Sequence, residues 1–146
     1  MIALTTRSLP HGIDLSCRSC GPADGRLLVF LHGFPEAAFV WDDVMQHFSQ
    51  PAHGGYRCVA PNLRGYEHSS APAEANAYRA KHLVQDVAAL IKAESEATGQ
   101  PLAALVAHDW GGAVAWGVAA QHPGLLQRLV IINSPHPATF LRELKH

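Results

Sequence analysis

Asp109 stands between an apolar run at 102–107 and a run of small residues, in the stretch "LVAHDWGGAVAW" at 105–116. A strand, a sharp turn carrying a nucleophile, and then a helix make up the nucleophile-elbow geometry. Small residues flank such a turn because its backbone is strained and the helix must pack close to the strand. Here the elbow reads Ala107, His108, Asp109, Trp110, Gly111, with Gly112, Ala113 and Ala115 continuing the small face. At a helix N-terminus the dipole and free N–H groups favour an ionised carboxylate by roughly 0.3 to 1 kcal/mol, and that is the form that attacks. The competing use of the same residue is a plain helix N-cap, for which aspartate is a preferred type.

A second motif separates the two uses. "HGFPE", His32, Gly33, Phe34, Pro35 and Glu36, leaves the end of the apolar run "RLLVFLHGFP". A backbone N–H there can point into the same space as the N–H of Trp110. Two such donors form an oxyanion hole, each contributing on the order of 100-fold or more in rate.

The elements that must position these residues follow from apolar periodicity. Residues 3 to 20 give two alternating segments around "PHG" and predict an antiparallel hairpin. The runs at 26–31, 56–63, 102–107 and 126–133 read as strands, the continuous ones buried on both faces. Between them, Val40, Trp41, Val44, Met45 and Phe48 place a helix over 37–48, closed by Pro51. Leu83, Val87, Leu90 and Ile91 mark a long helix ended by Gly99 and Pro101, and residues 110–122 form a helix stopped by Pro123. Strands alternating with helices predict an α/β fold, a mostly parallel sheet with helices on both faces.

Composition narrows the function classes. The chain has 146 residues, 48% hydrophobic and 16% charged, which is ordinary for one globular domain. A net charge of -1 offers no basic surface, so no nucleic acid partner is expected. No apolar run reaches a membrane span and the first residues lack a signal-type h-region, so the expectation is a cytoplasmic chain without a membrane partner. Cys17 and Cys20 form a C-x-x-C on an alternating stretch, where residues three apart face opposite sides and cannot converge on a metal. No G-x-G-x-x-G, P-loop, H-E-x-x-H or EF-hand spacing occurs.

"HGFPE", "RGY" at 64–66, "HDWGG" at 108–112 and "SPHP" at 134–137 together resemble the α/β-hydrolase superfamily, and most closely its epoxide hydrolases. The resemblance covers nearly the whole chain. It implies an α/β-hydrolase fold with Asp109 as nucleophile, and the backbone N–H groups of Phe34 and Trp110 as the oxyanion hole. It further implies that His32, Gly33, Pro35, Glu36, His108, Gly111 and Gly112 support loop and elbow, with a cis bond before Pro35. Phe34, Trp110 and His136 would line the substrate pocket. The substrate class is a small apolar epoxide or related electrophile, opened by the carboxylate to an alkyl-enzyme ester that water hydrolyses to a diol. No metal and no cofactor is implied. Relatives usually read "DLRGYG" where this chain has Asn62 and Glu67, a departure taken as loop variation away from the chemistry.

Two neighbouring activities differ at single positions. Haloalkane dehalogenases of the superfamily typically carry Asn where Phe34 stands, and fluoroacetate dehalogenases carry Arg where Trp110 stands; dehalogenation remains an alternative. By the resemblance, epoxide hydrolases supply acid tyrosines from a cap after the sixth strand, and an acid and a histidine from two further strands. Residues 1–134 therefore read as the N-terminal part of the core, and 135–146 as the start of a connection to a cap. The 146-residue chain is expected to be incomplete and inactive alone, with self-association through the exposed edge of the sixth strand. The remaining alternative is a non-catalytic remnant or module that binds an apolar ligand.

Overall fold

The computed structural model describes residues 1–132. The apolar runs assemble a six-stranded sheet of order β1-β2-β4-β3-β5-β6. Its strands are β1 Ala3–Ser8, β2 Asp14–Cys20, β3 Leu27–Leu31, β4 Arg57–Pro61, β5 Leu102–His108 and β6 Leu129–Ile132. The strands β4, β3, β5 and β6 are parallel to one another. The leading hairpin β1–β2 joins them antiparallel, through β4.

Every residue of β3 is buried, which explains its unbroken apolar sequence. The pleat sends Leu27, Val29 and Leu31 into one core and Leu28 and Phe30 into the other. The first core is completed by α2 Ala80–Thr98 and α3 Trp110–Gln121, through Leu83, Val87, Leu90, Ile91, Val114 and Val118. The second is closed by Trp41 and by Met45 of α1 Asp42–Ser49. Helices thus lie on both faces, and α2 ends at Gly99, whose left-handed backbone (φ 71°) lets its N–H return to Ser95 O at 2.9 Å. Among the described residues no helix is long and apolar enough to cross a membrane.

Two elements differ from the sequence expectation. The helix placed over 37–48 divides into a 3-10 turn, Ala38–Trp41, and α1. The Ala38 N–H is held by Asn62 Oδ1 at 2.8 Å, and Val40 N–H closes a tight bond onto Ala37 O at 3.2 Å, so the chain enters as a 3-10 turn. The sixth strand is shorter than 126–133, because Leu126 makes only an isolated bridge to Leu102 before pairing resumes at Leu129. The expected connection at 135–146 lies outside the described residues.

Buried ion pairs tie the helical layer to the sheet edge. Glu94 of α2 accepts from Arg7 of β1 and from Arg57 of β4, the latter at 2.7 Å. Burial alone would raise the Glu94 carboxyl; the hydrogen bonds from the two arginines outweigh it and leave the group below its usual range. Asp86 receives a bidentate pair from Arg64 at 2.8 and 2.7 Å and lies 2.8 Å from His11 Nε2.

Candidate active site

The parallel strands β3 and β5 deliver both motifs to one end of the sheet. β5 stops at His108 and α3 begins at Trp110, leaving Asp109 alone in the turn with φ 55° and ψ −124°. Such a conformation costs a non-glycine residue on the order of 1 to 3 kcal/mol. Asp109 occupies the N-cap position of α3, yet its side chain makes no capping bond. Its Oδ2 instead accepts the backbone N–H of Phe34 at 3.2 Å, across from the other motif. The carboxylate is therefore not serving as a helix cap, since a cap would have bonded its own helix.

Glycines make the approach possible. A Cβ on Gly33 would lie 2.6 Å from Asp109 Cβ and 2.9 Å from its Oδ2. A Cβ on Gly111 would lie 2.4 Å from the backbone oxygen of His32, so α3 can seat against the end of β3 only with a bare backbone there. Gly112 is buried and its N–H closes the first turn onto Asp109 O at 2.9 Å.

The loop itself is braced from below. His32 is fully buried; its Nε2 accepts the Leu63 N–H at 3.0 Å, which leaves Nδ1 to donate to Gly33 O at 2.9 Å. Burial pushes its pKa below the ordinary value, so the ring stays neutral. The Phe34–Pro35 bond is cis, and Glu36 reaches back so that its Oε1 lies 3.2 Å from His108 Nδ1. The His108 side chain therefore points away from Asp109, toward the loop.

Phe34, Trp110, Asp109 and Tyr66 line a cavity of about 250 Å³. Phe34 and Trp110 are 68% and 56% exposed, so their rings form an open apolar mouth over the carboxylate. Tyr66, in the "RGY" element, is a pocket residue that the sequence alone does not single out. Its ring meets His32 edge-on at 4.7 Å, a contact that no local spacing announces. Burial first, and the Asp109 charge second, raise its phenol pKa, so it remains a donor beside the carboxylate. His136, the remaining expected pocket residue, lies outside the described residues.

The departures at Asn62 and Glu67 have different meanings. Neither lines the Asp109 cavity. Asn62, in the loop just after β4, is buried: besides accepting from Ala38 it donates to Ser16 Oγ at 2.9 Å, which a carboxylate could not do. Glu67 takes a left-handed backbone (φ 49°) at the place where the resemblance expects glycine. Among the described residues no group of three or more His, Cys, Asp or Glu side chains could hold a metal ion.

Comparison with known proteins supports the same fold family. The model of the alpha/beta hydrolase fold family matches residues 26–145. Epoxide hydrolase 2 of Caenorhabditis elegans is 41% identical over 120 residues, which is 82% of this chain and 32% of that protein. An AB hydrolase superfamily protein of Bacillus subtilis is 40% identical over 127 residues, 87% of this chain and 42% of its own length. A solved structure described among novel epoxide hydrolases from metagenomes of hot environments superposes with a TM-score of 0.86 at 41% identity, covering 99% of this chain and 46% of that one. The chain thus spans less than half the length of these relatives. With a strained elbow, a facing loop and this family match over most of its length, the chain belongs to the α/β-hydrolase family.

Proposed function

We propose that this chain carries the nucleophile and oxyanion half of a hydrolase of the epoxide hydrolase type. The observation that supports it most is the bond from Phe34 N–H to Asp109 Oδ2, made by a residue that leaves its helix uncapped. Oδ2 is tethered, so Oδ1 is the oxygen available to attack. A carboxylate attacks saturated carbon from behind the leaving oxygen: a C–O bond to Asp109 forms, a strained ring C–O bond breaks, and the released alkoxide takes a proton from solvent water. Water then adds at the carbonyl carbon of the ester, and the charge that develops on its oxygen meets the N–H groups of Phe34 and Trp110. An epoxide suits this site because Phe34 and Trp110 present apolar ring faces and no side-chain halide donor of the Asn or Arg type. The names of the relatives point to the same substrate class.

Among the described residues no histidine lines the Asp109 cavity. A general base must reach its water within hydrogen-bond distance. We expect the ester to form slowly on this chain and, once formed, to persist. The test is intact-mass analysis after incubation with an aryl epoxide, followed by peptide mapping. A persistent adduct on Asp109, absent from Asp109→Ala, is the expected result. A folded wild-type chain that gains no adduct, or an adduct that survives Asp109→Ala, would overturn the reading.

A further inference from the structure

A second group of reactive side chains lies at the other end of the sheet. Cys20, the last residue of β2, is paired in register with Cys58 of β4. The two belong to the same core face, Cys58 fully buried and Cys20 partly so. Cys20 lies close enough to raise the Cys58 thiol, and all three cysteines are free. Cys17, the other member of the C-x-x-C, is buried in the opposite core. The partner of Cys20 is therefore across the sheet and not along the chain.

The ladder geometry says what kind of bond this pair could make. Asn62 N–H donates to Ser16 O at 2.8 Å, one step beyond the pair Cys17 and Pro61. Antiparallel pairs alternate between hydrogen-bonded and non-hydrogen-bonded, so Cys20 and Cys58 fall on a hydrogen-bonded position. Pro61, which has no N–H, falls on the other kind. At hydrogen-bonded positions the Cα atoms are about 5.5 Å apart, within the disulfide range of about 4.4 to 6.8 Å. The side chains are more widely spaced there than a disulfide prefers, so the bond would form with some distortion. Distorted and exposed disulfides are the ones readily reduced.

Access is one-sided. Cys20 lines a surface cavity of about 300 Å³ together with Ala3, Ser19 and Arg57. Cys58 does not line it. We propose that Cys20 and Cys58 are a reversible redox pair, closing into a cross-strand disulfide when a small-molecule disulfide of the glutathione type enters that cavity. The Cys20 thiolate attacks one sulfur of the small disulfide, whose S–S bond breaks, and one thiol leaves. Cys58 then gives up its proton and attacks the Cys20 sulfur, releasing the second thiol. Two protein thiols are oxidised, one small disulfide is reduced to two thiols, and the two protons leave with them. Burial first, and the neighbouring Cys20 second, hold the Cys58 thiol at about 12, consistent with Cys20 reacting first.

The test needs no catalytic activity. The chain is incubated with oxidised glutathione, alkylated without reduction, and mapped by mass spectrometry. A peptide linking Cys20 to Cys58, with Cys17 still free and full reversal by dithiothreitol, is expected. Cys58→Ser should stop at a glutathione adduct on Cys20. A wild-type chain that stays fully reduced, that stops at the mixed disulfide, or that links Cys17 instead would overturn the assignment.

Discussion

At the scale of single residues, the site is a set of backbone permissions. Asp109 holds a left-handed conformation that only its surroundings enforce (φ 55°), and that strain is separable from its chemistry. Asp109→Ala and Asp109→Gly both remove the carboxylate and its bond to Phe34, but only glycine accepts the turn. Allowing for the extra freedom glycine gives the unfolded chain, the Gly variant should be the more stable by about 1 kcal/mol, read from urea midpoints. Gly33→Ala should act oppositely, because the added carbon would meet Asp109 Cβ at 2.6 Å. Ester formation should fall by up to about 100-fold as the attacking carboxylate is pushed out of its reacting position, measured by the rate of adduct appearance. Asp109 and the "HGFPE" loop were legible in the sequence because elbow and loop are local patterns with fixed spacing. Tyr66 and the uncapped state of α3 were not, since both depend on which segments the fold brings opposite one another.

At the scale of elements, α2 is held to the hairpin by charge as well as by packing. Glu94 sits between Arg7 and Arg57, and it is 3% exposed. Glu94→Gln would leave two arginines facing one neutral amide, and removing one partner of a buried pair typically costs about 3 to 5 kcal/mol. Denaturant unfolding of this variant should show that loss, with α2 and β1 the first segments to exchange amide hydrogens. β6 has the opposite character. Among the described residues it pairs only with β5, and Val130 and Ile132, on one face of the sheet, are 43% and 41% exposed. Such an apolar edge pairs readily with another chain. Light scattering should find self-association that Ile132→Lys reduces; a monodisperse wild-type chain would count against it. Strand and helix positions could be read from apolar period alone. The 3-10 entry to α1 and the Asn62 network could not, because they arise where β4 and the loop after β3 meet.

At the scale of the molecule, two groups set the response to acid. His32 is neutral when folded, with its pKa lowered from 6.5, and Glu94 is ionised, with its pKa lowered from 4.5. In both cases the unfolded chain binds the proton more readily, so stability is present above the unfolded pKa and falls as pH drops toward the folded value. The urea midpoint should therefore be level above about pH 7, decline first as His32 resists protonation, and decline further as Glu94 does. In His32→Gln the first decline should disappear.

The open mouth over Asp109 also makes the molecule its own optical reporter. Of the three tryptophans, Trp41 is 6% exposed in the core and Trp116 is half-buried, while Trp110 is 56% exposed beside the carboxylate. Emission from Trp110 should dominate the red side of the fluorescence spectrum and shift to the blue when an apolar molecule settles against Phe34 and Asp109. Occupancy of the site can thus be followed without a label and without turnover.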